Sequence, residues 1–288
     1  NLLGGRSRIE YQPLGVVGII SPWNFPVSMV FAPMSGALAA GNRIMVKPSE
    51  FTPATSEVLA TMIKSAYDPK EVAVFTGGPE VGQAFSNLPL DHLLFTGATS
   101  VARHIMAAAA RNLVPVTLEL GGKSPVIISR SADLEKSLER IMLGKTMNAG
   151  QICLAPDYLL VPEEKLHDVI ATAQQVVATM YPTLLDNVQY TSVINERHYQ
   201  RLNGYLEEAR ERGVKVIEIN PAGEDFSQQQ DTHKIPPTLI PEPPEDLKLL
   251  QEEIFGPLLP IRTYREFSET VDYINSRPRP LAAYYFGD

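Results

Sequence analysis

Strand-length apolar runs alternate with helix-length segments along nearly the whole chain, and no other feature restricts the fold as much. Residues 14–20 form a continuous apolar run rich in β-branched side chains, the pattern of a strand buried on both faces. A proline-rich loop at 21–26 follows. Residues 27–40 are mostly small and apolar, which predicts a buried helix ending before Gly41. Residues 43–47 read as the next strand, 48–53 as a loop, and the stretch to about Ala66 as a helix. A strand at 71–75, a turn at 76–79, a helix at 80–85, a strand at 92–96, a helix to Asn112 and a strand at 114–120 continue the series. The second half reads as strand 125–129, helix 133–148, strand 157–161, helix 163–178, helix 195–212, strand 214–219, strand 258–263, helix 265–275 and a last apolar run, 281–286. This βαβα order predicts an α/β fold of doubly wound parallel sheets with helices on both faces. A length of 288 residues suits two domains. Gly121-Gly122 is the expected joint, dividing the chain into 1–121 and 122–288.

Composition narrows the function classes. A net charge of −8 and a pI near 5.3 argue against nucleic acid as a partner, because phosphate backbones need a basic face. A single cysteine excludes an intrachain disulfide framework and fits a reducing compartment, read here as the cytoplasm. Residues 27–42 carry no charge but are interrupted by Pro33 and two glycines, so no membrane segment is expected there. No secretory signal pattern is present. The chain opens at Asn1 and closes on an apolar run that reads as a buried strand, so both ends read as cuts in a longer protein. Residues 220–234 are polar and read as a surface loop, and prolines 236, 237, 241, 243 and 244 mark edge or loop backbone.

Several residues stand where chemistry is feasible. Cys153 follows an amphipathic stretch with Leu134, Leu138, Ile141 and Met142 at helical spacing, and Gly150 is where that helix should stop. A thiol on such a turn is open to substrate, although a lone cysteine is more often a small buried hydrophobe. Glu119 lies at the end of a predicted strand, before Gly-Gly, at the rim where α/β sheets bind ligands. Taken alone it reads rather as an ordinary exposed strand-end glutamate. Asn24 sits between two prolines, which would hold its amide as a preorganised donor or let it bond its own backbone. Lys47 and Glu50 could hold a ribose diol, one donating and one accepting, or be a solvated charge pair. The turns at 77–82, with Gly78 and Gly82, and at 97–99, with Gly97, permit close approach of a pyrophosphate. The five histidines are scattered and no cysteine cluster exists, so no metal site is expected.

Six short segments in order are PWNFP (22–26), KPSE (47–50), FTGAT (95–99), LELGGK (118–123), GQICLAP (150–156) and EEIFGP (252–257). Together they resemble the aldehyde dehydrogenase superfamily, and the resemblance runs over nearly the whole chain. Residues 113–125 and 150–160 look most like the branch containing coniferyl aldehyde dehydrogenases and the enzymes of fatty and aromatic aldehydes. The resemblance implies a Rossmann-like cofactor domain and an α/β catalytic domain, truncated at both ends relative to the family. It implies Cys153 as nucleophile, Glu119 as general base and Asn24 as oxyanion donor alongside the Cys153 N–H. It further implies Lys47 and Glu50 at the adenosine ribose, Gly78, Gly82 and Gly97 in the dinucleotide loops, and Glu253 and Phe255 at the nicotinamide ribose and ring. Ala98 and Ala102 depart from the serine and glycine common there. The implied reaction is oxidation of an aldehyde, such as coniferaldehyde, to its acid through a cysteine hemithioacetal and thioester. The implied cofactor is NAD, with NADP also used by some relatives, and the implied assembly is a homodimer or larger. A thiol hydrolase, a non-catalytic binding protein and a CoA-acylating enzyme are the rival readings. No histidine falls in the matched segments, and Glu119 favours water over CoA for resolving the thioester.

Overall fold

The β-branched and leucine-rich runs form strands because each can be buried from both sides by helices. The computed structural model describes residues 4, 7–229 and 232–288. The chain divides into two compact units, Asn1–Leu120 and Gly121–Asp288. The division falls one residue before the expected joint. Each unit has its own sheet.

The first unit runs β1 (Val16–Ile20), α1 (Ser28–Ala39), β2 (Arg43–Lys47), α2 (Pro53–Ala66), β3 (Val72–Val74), α3 (Pro79–Ser86), β4 (His92–Thr96), α4 (Thr99–Ala110) and β5 (Val116–Glu119). The sheet order is β3-β2-β1-β4-β5, and every pairing is parallel. Alternation along β1 sorts the core. Val17 and Ile19 pack with Val30 and Met34 of α1 and Leu59 and Ile63 of α2. Ile20 faces the other way, toward Phe85 of α3 and Ala102 and Ile105 of α4. The sheet is thus covered by helices on both faces.

The second unit runs β6 (Pro125–Ile128), α5 (Leu134–Thr146), β7 (Tyr158–Pro162), α6 (Leu166–Met180), α7 (Glu196–Glu211), β8 (Ile217–Glu218), β9 (Thr238–Pro241), α8 (Lys248–Gln251), β10 (Leu258–Tyr264), α9 (Phe267–Asn275) and β11 (Tyr284–Phe286). Its order is β11-β6-β7-β10-β9-β8. The main core packs α5 and α6 against β6, β7 and β10. A second cluster gathers Leu202, Tyr205 and Leu206 of α7 with Leu249 and Leu250 of α8. The sequence cues at the helix starts are used as capping rules predict: Asp133 accepts from the Lys136 N–H and Asn195 from the His198 N–H, and Pro53 and Pro79 open α2 and α3.

Several expectations need correction. The run at 14–20 begins its strand only at Val16, and Leu14 is exposed. Helix α1 is not buried all round: only Val30 and Met34 are, because a helix lying on a sheet buries a stripe. The expected strand at 214–219 shrinks to the two residues of β8, and its pairing with β9 is antiparallel, so the second sheet is mixed. Strand β9 was hidden by its flanking prolines, which stand at its ends. The last apolar run contributes β11, an edge strand in this sheet with Tyr285 exposed rather than buried. The polar stretch 220–234 includes Gln230 and Asp231, which lie outside the described residues, as does Asn1. At its end Lys234 is buried, and its ammonium donates to the carbonyls of Leu184, Leu185 and Asn187.

Gly18 in β1 explains one feature of this core. A Cβ there would lie 2.5 Å from Leu90 and 2.9 Å from the Phe85 ring, so the central strand needs a residue without a side chain. Gly18→Val is expected to cost about 1–3 kcal/mol through overpacking, read as a lower urea midpoint at unchanged m-value.

Candidate active site

In the first unit, parallel pairing brings the carboxyl ends of the strands to one rim. Ile20 pairs with Lys47 on one side and Phe95 on the other, and Thr96 pairs with Glu119. The loop bearing Asn24 therefore leaves the same rim at which Lys47 and Glu119 end their strands and Gly97 follows β4. Between β1 and β4 the strand order reverses direction, the position where such sheets bind ligands. Asn24 is half-buried, and Glu119, the last residue of β5, is exposed. Lys47 is 3% exposed, and its ammonium donates to Glu50 at 2.6 Å. The pair is therefore not solvated in the ordinary sense, since the lysine is inside and the carboxylate only partly out.

The glycine turns of this rim have steric reasons. A Cβ on Gly97 would meet the Phe95 ring at 2.6 Å. Gly77 has φ +140, and a side chain there would collide with Val81. Gly78 precedes α3, and its N–H donates to the Glu80 carboxylate two residues on. Gly82 faces the aliphatic chain of Lys47, with 3.9 Å between its would-be Cβ and Lys47 Cε. Ala98 precedes α4 in extended backbone and supplies no side-chain cap. The Ser21 hydroxyl, buried just after β1, has no hydrogen-bond partner among the described residues.

In the second unit the candidate residues collect at the opposite, amino ends of the strands. Gly121 to Lys123 precede β6, Cys153 precedes β7, and Glu253 and Phe255 precede β10. These three strands are adjacent and parallel. Their loops are joined by a buried ion pair. The Lys123 ammonium donates to Asp157 and to the carbonyls of Leu249 (2.7 Å) and Glu252 (2.8 Å). Asp157 accepts the Ile254 N–H at 2.9 Å with its other oxygen. Glu253 is flanked by both of these contacts and takes the Gly122 N–H on its carboxylate. A Cβ on Gly121 would fall 2.1 Å from the Glu253 carboxylate, so the Glu253 side chain would have to move. Burial pushes the Glu253 carboxyl up to about 7, against the lowering effect of the Gly122 hydrogen bond. Phe255 adopts φ +45, and its carbonyl accepts from Arg201 of α7.

Helix α5 ends at Thr146, short of Gly150. The backbone then takes three left-handed residues in succession: Asn148 (φ 49), Ala149 (φ 52) and Gly150 (φ 71). Left-handed backbone costs roughly 1–2 kcal/mol for an ordinary L-residue such as Ala149. At Gly150 a Cβ would press on the Gly256 carbonyl oxygen at 2.3 Å. Cys153 follows, half-buried, and is the only cysteine of the chain. The Tyr284 hydroxyl of β11 donates to the Leu154 carbonyl at 2.7 Å.

Sequence reasoning missed Lys123, Asp157, Lys145 and Gln151. Lys145 and Asp157 are single charges inside stretches otherwise built for burial, and that mismatch was the available signal. Among the described residues no group of three or more His, Cys, Asp or Glu is placed to hold a metal ion, and no helix is long and apolar enough to cross a membrane.

The comparisons agree with the segments. Residues 3–288 match the aldehyde dehydrogenase family model. This chain belongs to the aldehyde dehydrogenase family. It is 61% identical over 286 residues to a protein of Caulobacter vibrioides named probable coniferyl aldehyde dehydrogenase, covering 99% of this chain and 59% of that one. It is 58% identical to the coniferyl aldehyde dehydrogenase of a Pseudomonas species, again over 99% of this chain and 59% of the relative. Among solved structures, a substrate-bound aldehyde dehydrogenase of Staphylococcus aureus superposes with a TM-score of 0.88 at 39% identity, covering 96% of this chain and 59% of that one. A mutant of aldehyde dehydrogenase C from Pseudomonas syringae, complexed with NAD+ and octanal, gives 0.87 at 30% identity, with 96% and 58% covered. The fold is thus the aldehyde dehydrogenase fold, and the chain spans 59% of the length of the curated relatives it matches.

Lys145 gives a pH-dependent test of this family member's interior. Its ammonium is fully buried and donates to the Pro156 carbonyl at 2.8 Å, and burial lowers it from 10.5 to about 7. Between these two values the unfolded chain holds a proton that the folded one lacks, so this group makes stability rise with pH from 7 to 10.5. Lys145→Met should remove that rise, on the order of a few kcal/mol, seen as a flatter plot of urea midpoint against pH over that window.

Proposed function

We propose that the protein oxidises an aldehyde to its carboxylic acid with NAD, and that coniferaldehyde or a related aromatic aldehyde is the substrate. The observation that carries this is the 61% identity over nearly the whole chain to a protein named for that reaction, in a chain whose only cysteine lies in the matching segment. Solved relatives hold NAD+. The residues of the first rim suit that cofactor chemically. A lysine and a carboxylate at and just after the end of β2 offer the donor and acceptor a ribose diol needs. Glu50 would accept from a ribose 2′-OH and repel a 2′-phosphate, which favours NAD over NADP.

In this reading Cys153 attacks the aldehyde carbon as a thiolate and becomes a hemithioacetal. The Asn24 amide and the Cys153 N–H hold the new oxyanion, each such donor being worth roughly 3 kcal/mol of barrier. Glu253 would hold the ribose of a bound nicotinamide nucleotide and Phe255 would flank its ring, and that nucleotide would supply the hydride acceptor needed to oxidise the adduct to a thioester. Glu119 takes a proton from water, and the hydroxide released attacks the thioester carbon, freeing the acid and the thiolate. Such general-base help contributes roughly 10²–10⁴-fold. We place the enzyme in the cytoplasm and expect it to act as a homodimer or larger.

The test uses the intact protein with NAD and coniferaldehyde. Cys153→Ala should abolish NADH formation at 340 nm, and substantial turnover would exclude Cys153 as nucleophile. Glu119→Gln should retain a first burst of NADH while steady-state turnover falls by roughly 10²-fold or more. Equal loss of both phases would remove the purely deacylating role.

A further inference from the structure

Gln151 lies two residues before Cys153 and is 2% exposed. Its amide nitrogen donates to the Asn148 carbonyl at 2.9 Å and to the Ser192 carbonyl at 3.0 Å. Its amide oxygen accepts the Ile194 N–H at 2.9 Å. Its own backbone N–H reaches the Asn148 carbonyl at 3.0 Å, and the Asn148 side chain donates back to the Gln151 carbonyl. Gln151 thus ties the left-handed residues 148–150 to the 192–194 segment, and Gly150 lies so close to the Gly256 carbonyl that a Cβ would not fit there. A run of left-handed residues in an L-chain persists only when its surroundings over-determine it.

We propose that Gln151 is a positioning residue: it holds the 148–150 turn in its left-handed form and thereby sets the place of the Cys153 thiol. The inference deepens the proposed function, since it concerns the nucleophile assigned there. The clamp opposes the intrinsic preference of Ala149 for right-handed backbone. If so, replacing Ala149 by glycine, which accepts positive φ freely, should make the clamp less necessary.

The intact protein is compared as wild type, Gln151→Ala, Ala149→Gly and the double variant. Two quantities are read: kcat with NAD and coniferaldehyde, and the pH midpoint of Cys153 alkylation by iodoacetamide. Gln151→Ala should lower kcat roughly tenfold or more with KM values within about threefold, and should move the alkylation midpoint by at least about half a unit. Ala149→Gly alone should leave both near wild type, and the double variant should recover most of both losses. An unchanged alkylation midpoint in folded Gln151→Ala, or a double variant no better than Gln151→Ala, overturns the proposal. Should Gln151→Ala not fold, Gln151→Glu keeps the size and the acceptor for Ile194 but loses both donated bonds; wild-type behaviour of that variant overturns the proposal equally. Alkylation needs no turnover, so a protein that follows the expected midpoints yet forms no NADH would refute the proposed function and leave the clamp standing.

Discussion

The Lys123–Asp157 ion pair is the interaction on which the second unit's loops depend. Both side chains are largely withdrawn from water. Desolvating two charges is costly unless their remaining hydrogen-bonding capacity is met. Here it is: the ammonium has three acceptors, and the carboxylate also takes a backbone N–H from the loop before β10. Three segments far apart in sequence, 121–123, 150–157 and 249–254, are thereby tied at one edge of one sheet. Each would otherwise be an independent loop with freedom to lose on folding. Removing either partner would leave a buried charge uncompensated, which is why such pairs resist single substitution more than their net worth suggests.

Around that junction, glycine records how closely the backbones approach. Gly121 cedes its Cβ space to a carboxylate and Gly150 to a carbonyl. Glu253 is half-buried among these groups, and its raised proton affinity is the electrostatic counterpart of the same crowding. Strain and desolvation are concentrated in the stretch that carries the thiol and the loop facing it, while the sheet beneath consists of buried aliphatic residues in regular register. This division of labour is common where a rigid scaffold positions reactive groups.

Much of this was legible from the chain. The parallel strands β1, β2 and β4 announced themselves as short apolar runs, and β2 and β4 matched to the residue, because each is only strand length and is bounded by turn residues, Asn42 and Pro48 around β2 and Asp91 and Gly97 around β4. The site segments were legible as motifs, since each combines a reactive side chain with the glycine or proline its turn requires. What stayed hidden has physical causes. Strand β9 is short and fenced by prolines, and β8 pairs through only two residues, so neither has a pattern long enough to read. The end of α5 was misplaced because glycine is the usual stop, whereas here Asn148 and Ala149 turn left-handed first. Lys145 and Asp157 stood out as charges in buried stretches, but what Lys123, Lys145, Gln151 and Asp157 bind could not be read, because their partners are mostly backbone carbonyls and N–H groups, which leave no trace in side-chain identity.

The antiparallel strand β8 has a consequence for solubility. It terminates one side of the mixed sheet with two residues, one of them Glu218, which is engaged by Arg210 of α7. A charged margin this short offers a neighbouring molecule almost no ladder to extend. The second sheet is thereby blunted on that side against strand-by-strand growth into aggregates, a safeguard independent of any chemistry performed at the amino ends of β6, β7 and β10.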